Sequence, residues 1–207
     1  MSLTLQKRRL QGYRAEKQEY VNLDMSSSEA FGSTWYGCTF TKCDFSLSNL
    51  QQSEFVDCRF VGCDLRMVNF RASKLRLVRF EECDMRQSVF VGVTPLESVE
   101  FRDCQLQYAS FFDCTARETS FRDSNLHGTD LRFIESQGAR YVGSNLWGAI
   151  SAFGCQFWNS QFDERACDFF VALVSRVHPS PEKAKILREI AGISVKVTER
   201  LMDQRSA

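Results

Sequence analysis

The chain has 207 residues, 43% of them apolar, and its 26 basic and 26 acidic side chains give a formal net charge of zero. That length allows one or two domains, and no stretch is long and apolar enough to read as a membrane span. The basic groups near the start are followed by no apolar run, so no secretory signal is read and the expected compartment is the cytoplasm.

Residues 1–20 hold five basic and two acidic groups, and residues 170–207 seven basic and four acidic, which leaves a mildly acidic body between two basic ends. In residues 1–22 the pattern described below fades. Tyr20 keeps its phase, but Gln18 and Leu23 are poor small residues. This segment is expected to be an N-terminal cap, with Tyr20 over the open end of the first coil, because open solenoid ends expose strand edges.

Over residues 23–164 a bulky apolar side chain recurs at every fifth position, as in Trp35, Phe40, Phe45, Leu50, Phe55, Phe60, Leu65 and Phe70. A small residue precedes each by two places, for example Ser33, Cys38, Cys43, Ser48, Ser53 and Cys58. Neither a helix nor a strand has a period of five, so the pattern means stacked units rather than one folded core. The phase slips by one residue after Phe90 and again after Leu146, and the 28 units counted from Met25 carry Phe or Leu at 20 central positions. A chain that bends at every unit, with both the large and the small residue inward, closes after four units. About seven such coils at about 4.8 Å each make a rod of about 35 Å.

Cys43-Asp44-Phe45-Ser46-Leu47, Cys63-Asp64-Leu65-Arg66-Met67, Ser124-Asn125-Leu126-His127-Gly128 and Ser144-Asn145-Leu146-Trp147-Gly148 follow the pattern A-(D/N)-L-x-x, and in this the chain resembles the pentapeptide repeat proteins. The resemblance covers roughly residues 23–164. It implies an all-β solenoid, a right-handed quadrilateral β-helix. Eight of the nine cysteines fall on the small inward position and are expected to be buried thiols, not ligands or disulfides. With only two histidines, His127 and His178, no metal site and no cofactor are expected.

Residues 165–207 change character. The apolar block Phe169, Phe170, Val171, Leu173, Val174 and Val177 suits a short helical cap over the last coil. Ser180-Pro181-Glu182 then reads as a helix start, and Gly192 as its stop. Ile193, Val195 and Val197 alternate with polar residues as a one-faced strand does. The stretch Ala184 to Val195 resembles the C-terminal module of the Qnr and MfpA-type proteins and of the microcin B17 and albicidin immunity proteins, in which a helix and a Gly-Ile/Val-x-Val strand join two rods end to end. The resemblance implies a homodimer through Ala184, Leu187, Ile190, Gly192, Ile193 and Val195. The polar tail from Lys196 to Ala207 and the lack of long projecting loops depart from that group.

Catalysis has little support, because an active site needs a concave pocket of converging titratable groups and this rod has a filled interior and convex walls. Asp24, Asp44, Asp64 and Asp84 lie 20 residues apart, so they should stack as an outward carboxylate column. The resemblance implies that such a wall mimics duplex DNA and binds a type II topoisomerase, DNA gyrase or topoisomerase IV, protecting it from a drug or toxin. Turn chemistry is the other reading of these residues, since Asp and Asn before a bend bond to nearby amides. A cytoplasmic scaffold for some other protein is the alternative function. Neither reading involves direct nucleic-acid binding or a membrane.

Overall fold

The computed structural model describes residues 10–146, Ala149 and residues 161–162. Each five-residue unit turns one corner. The residue two places after every central side chain adopts a positive φ, among them Leu47 (60°), Met67 (56°) and Leu77 (55°), with glycine at other corners such as Gly62 and Gly92. An L-residue in this region gives up about 1–2 kcal/mol. The ladder compensates, because the corner N–H groups of Leu47, Met67 and Leu77 donate to Arg66, Arg86 and Glu97 of the next coil at 2.9, 2.9 and 3.0 Å.

Two walls form regular parallel sheets. The first stacks β1 (Arg14–Glu16), β3 (Thr34–Tyr36), β5 (Glu54–Val56), β7 (Lys74–Arg76), β9 (Leu96–Glu97) and β11 (Ala116–Arg117). The second stacks β2 (Glu19–Val21), β4 (Thr39–Thr41), β6 (Arg59–Val61), β8 (Arg79–Glu81), β10 (Glu100–Arg102), β12 (Ser120–Arg122), β13 (Arg140–Tyr141) and β14 (Gln161–Phe162). The third wall is a column of single bridges, Asp24, Asp44, Asp64, Asp84, Gln105, Asn125 and Asn145, and the fourth runs Glu29, Asn49, Asn69, Val89, Ser110 and Asp130. The result is a four-sided parallel solenoid whose six-stranded first sheet spans about six turns. No helix occurs among the described residues.

Both phase slips are visible in the register. Leu75 pairs with Leu96 and Phe80 with Phe101, so the extra residue is absorbed at the corner before Leu96 while the walls stay aligned. Tyr141 pairs with Phe162, which places the second extra residue between them.

The interior follows from the two inward positions of each unit. Phe40, Phe60, Phe80, Phe101, Phe121 and Tyr141 form one stack with centroid separations of 4.7, 4.9, 5.1, 5.0 and 5.0 Å. A second stack, Phe70, Phe90 and Phe111, meets the first edge-on, as at Phe90–Phe101 (5.8 Å, 89°). Coil spacing thus gives stacking within a column, and the corner gives edge-to-face contact between columns, both favourable arrangements of the ring quadrupole.

Small residues fill the corners. Cys38, Cys43, Cys58, Cys63, Cys83, Cys104 and Cys114 are free and buried. Cys43, Cys63, Cys83 and Cys104 point their Sγ atoms at Tyr20, Phe40, Phe60 and Phe80 carbonyls of the preceding coil at 3.3–3.6 Å. Burial pushes the Cys114 thiol up to about 12, which leaves it unreactive at neutral pH. Serines at the same site divide: Trp35 Nε1 donates to Ser33 Oγ at 2.7 Å, and the Ser53 and Ser73 hydroxyls donate to Ala30 and Leu50 carbonyls at 3.0 and 2.8 Å, whereas the buried hydroxyls of Ser28, Ser48 and Ser88 have no hydrogen-bond partner among the described residues.

One expectation is corrected. Residues 10–22 are not a separate cap, because β1 and β2 pair in register with β3 and β4, and Tyr20 is buried and stacked on Phe40 at 5.1 Å. The small inward site is relaxed there, since Gln18 stays exposed and Leu23 half-buried, and this is why the pattern fades in the sequence while the coil persists. The expected helix and strand of residues 165–207 lie outside the described residues.

Phe60 sits between Phe40 and Phe80 with no exposure, whereas Arg71 is exposed. Phe60→Ala is expected to cost about 3–5 kcal/mol and Arg71→Ala less than about 0.5 kcal/mol, read by denaturant unfolding. A larger loss in the Arg71 variant would overturn the inside and outside assignment.

Candidate interaction surface

A filled interior leaves function to the outer walls. Among the described residues no three His, Cys, Asp or Glu side chains form a group able to hold a metal. A shallow hollow lies at Glu97, Arg117, Glu118, Gln137 and Gly138, and it brings together surface charges without a nucleophile and base.

The third wall carries the predicted column, and its four aspartates do stack from coil to coil. Their chemistry is local. Asp24 and Asp44 Oδ1 accept the N–H of Ser26 and Ser46 at 2.9 and 2.8 Å, and Asp64 and Asp84 Oδ1 accept those of Arg66 and Arg86 at 3.1 and 3.3 Å. Each carboxylate therefore holds the bend that follows it, as Asn49, Asn69, Asn125 and Asp130 do elsewhere.

Asp64 and Asp84 are also ion-paired. Arg66 grips Asp64 through Nε (2.9 Å) and Nη2 (2.5 Å), and Arg86 grips Asp84 in the same way (2.9 and 2.6 Å). Arg66 Nε also lies 3.9 Å from Asp84, which links the two pairs. Partial burial pushes the Asp64 carboxyl up, but the Arg66 hydrogen bonds and the Arg86 charge outweigh it and hold it below the usual range. Planar guanidinium on carboxylate is the geometry that makes such pairs bidentate. These arginines were missed as site residues, although the D-x-R spacing of Asp64-Leu65-Arg66 and Asp84-Met85-Arg86 stands in the sequence.

Pairing extends to the other walls. On the second wall Arg59 reaches diagonally to Glu81 through two bonds (3.0 and 2.7 Å), and Arg79 approaches Glu100 at 3.9 Å. On the first, Arg76 lies 3.6 Å from Glu97, and on the fourth Arg132 holds Asp130 at 2.8 and 2.6 Å while its guanidinium sits 5.4 Å from the Phe112 ring centre. Arg66, Arg76, Arg79 and Arg86 are thus each engaged with an acidic neighbour. Residues 10–146 hold 15 basic and 19 acidic groups, a net of −4. A DNA duplex of the same length, about 30 Å, carries about 18 charges.

The expected dimer contacts Ala184, Leu187, Ile190, Gly192, Ile193 and Val195 lie outside the described residues. Large apolar groups do stand out at the corners, notably Leu47, Met67, Leu77 and Tyr108 at 58, 50, 57 and 59% exposure.

A four-sided parallel solenoid with five-residue sides and a mixed-charge exterior defines a repeat scaffold. A family model described as "Pentapeptide repeat region" matches residues 33–111, and one described as "Pentapeptide repeats (8 copies)" matches residues 100–132. Residues 33–132 thus form a pentapeptide repeat region. No curated protein sequence matches it. Among solved structures it is similar to a trypsin-treated QnrB1, described as a plasmid-mediated fluoroquinolone resistance protein, at 23% identity over 74% of this chain and 77% of that one, with a TM-score of 0.43. Full-length QnrB1 gives 21% identity over 74% and 80%, TM-score 0.34. HetL, a pentapeptide repeat protein involved in heterocyst differentiation regulation from the cyanobacterium Nostoc sp. strain PCC 7120, gives 14% over 72% and 87%, TM-score 0.22. At such values the fold rests on this chain's own ladders.

Asp64, Glu81 and Asp130 are each held below the ordinary carboxylate range, with Arg66, Arg59 and Arg132 as the favourable partners. Such groups add stability above their unfolded pKa of about 4 and lose it as pH falls through the lower folded value. The melting temperature is expected to hold above about pH 5 and fall below about pH 4, by a modest amount because the pairs are partly exposed. Replacing Arg66 and Arg132 together by Gln should make the acid-side fall shallower, and an unchanged fall would show that the pairs do not drive it.

Proposed function

We propose that this chain is a non-enzymatic protein-binding rod that holds a partner against its flat, mixed-charge walls. The observation that supports this best is the exterior itself. Regular ladders place paired charges, exposed apolar corners and short polar side chains at fixed spacing on convex faces, which is the chemistry of a recognition surface rather than of a reaction site. A cytoplasmic setting fits the buried free thiols. The test is site-specific photocrosslinking in cells from one exposed position on each wall, Arg71, Arg76, Arg102 and Gln105. The expected outcome is one protein adduct, concentrated on one or two walls and competed by the unlabelled chain. No competable protein adduct from any of the four positions would defeat the reading.

A second reading names the partner as a type II topoisomerase, gyrase or topoisomerase IV, shielded from a drug or toxin by a homodimeric rod that occupies its DNA-binding saddle. The stacked column Asp24, Asp44, Asp64 and Asp84 on one wall favours it. The turn bonds and arginine pairs of the same residues, and a net charge about fourfold short of DNA, weigh the other way. Asp44→Asn, Asp64→Asn and Asp84→Asn together keep the acceptor at each bend and remove the charge. If mimicry operates, the wild-type chain protects supercoiling by poisoned gyrase and the triple variant loses at least about tenfold in potency. Equal potency would confine the column to turn chemistry, and no wild-type protection would remove gyrase as the partner. Light scattering of the same preparations should give a dimer that Leu187→Asp converts to monomer, and a monomeric wild type would end the dimer proposal.

A further inference from the structure

One stretch of one wall is unlike the rest of the exterior. On the third wall the charged column stops at Asp84 and Arg86, and the next three coils present Gln105, Gln107, Tyr108, Asn125, His127 and Asn145. Between its corners that wall carries no Asp, Glu, Lys or Arg from Gln105 to Asn145, and the exposed Asp103 and Asp123 stand at the corner before it. The other three walls keep charges at the same level: Arg117 and Glu118 on the first, Arg102 and Arg122 on the second, Asp130 and Arg132 on the fourth.

The amides are held in register and oriented. Asn125 Oδ1 accepts the His127 N–H at 3.1 Å and the Asn145 Nδ2–H at 3.2 Å, and Gln107 Nε2 donates to Gln105 Oε1 at 2.9 Å. These bonds use the Asn125 and Gln105 oxygens and leave the Gln105 Nε2 and Asn125 Nδ2 donors unused by them, while the buried Gln107 Oε1 has no hydrogen-bond partner among the described residues. Tyr108 stands at the adjoining corner, 59% exposed, with its ring edge-on to His127 at 5.7 Å. The ring rests on Gly128, where a Cβ would come within 2.6 Å of Tyr108 Cδ1 and Cε1. Glycine takes the φ of 69° there without the cost an L-residue bears at other corners, and any side chain in its place would push the ring aside. Tyr108 is a seated platform rather than a loose side chain.

An anionic ligand finds no countercharge on this patch, a cationic one finds only Asp103 and Asp123 at its edge, already paired with Arg102 and Arg122 at 3.6 and 3.2 Å, and an apolar one finds a single ring. By coil spacing and rise per residue the patch covers on the order of 150 Å², far below the roughly 800 Å² per partner of a stable protein interface. The ligand that fits is small, uncharged and rich in hydroxyls, able to stack a C–H face on Tyr108 and to pair its hydroxyls with the amide ladder. We propose that this uncharged wall binds a short neutral oligosaccharide, one sugar ring per coil at about the 4.8 Å spacing of the ladder. The site is separate from the protein-binding reading above and does not depend on it.

The probes are cellohexaose, maltohexaose and chitohexaose titrated into the full chain by calorimetry, with a heparin hexasaccharide as the charged control. At least one neutral probe is expected to bind, with affinity unchanged between about 0.05 and 0.5 M salt because no exposed charge pair is made. Tyr108→Ala, at an exposed corner, is expected to leave the melting temperature in place and weaken that probe about tenfold or more, while Tyr108→Phe keeps most of the affinity. Asn125→Asp retains the acceptor for the bend but deletes the Nδ2 donor, and is expected to weaken binding as well. No binding of any neutral probe, or binding only of the heparin fragment, would overturn the proposal. Undiminished binding of a neutral probe by both Tyr108→Ala and Asn125→Asp would overturn its placement on this wall.

Discussion

Everything in this rod depends on the backbone ladder that ties each residue to its counterpart one coil away. The N–H groups of the third wall alternate in direction: Phe45 donates forward to Asp64 at 2.8 Å, and Asp44 donates back to Leu23 at 2.9 Å. Every coil is thereby bonded on both sides, and the corners that a side chain would ordinarily avoid are held by the same bonds. Because the ladder is in register, like side chains stack on like. Phe60 over Phe40 makes an aromatic column, Cys63 over Cys43 a thiol column, and Asp64 over Asp44 a carboxylate column. The first two gain from being dry and close. The third would repel, and the arginines two residues after Asp64 and Asp84 relieve it.

The sequence predicts the walls and interior well because both inward positions are chemically restricted. A bulky residue at Phe80 and a small one at Val78 leave few alternatives once the period is five. The start of the rod was hidden for the converse reason. In the first coil Gln18 faces out and Leu23 is half-buried, so the small inward site carries no signature, yet Tyr20 stacks on Phe40 as in any other coil. The surface was only partly legible. That Asp44, Asp64 and Asp84 stack follows from their spacing, but their neutralisation depends on where Arg66 and Arg86 reach, which a period does not state.

The exterior therefore separates two kinds of information. Positions just before the central residue are constrained by bends, so Asp64, Asn69 and Asn125 recur for local reasons. Positions after it are free of that duty, and there the walls differ: Arg66 and Arg86 low on the third wall, Gln107 and His127 high on it, Arg102 and Arg122 on the second. A recognition code on this scaffold would be written in those freer positions.

The absence of any chain reversal within the stack has a mechanical side. All sheet pairings among the described strands are parallel and join only adjacent coils. Tension applied at the two ends would load the terminal coil first, with its neighbours shielded. Each failing coil of about 20 residues would surrender about 65 Å of slack chain. Such a rod would lengthen in even steps under force, as a spool does when its thread is drawn off one turn at a time.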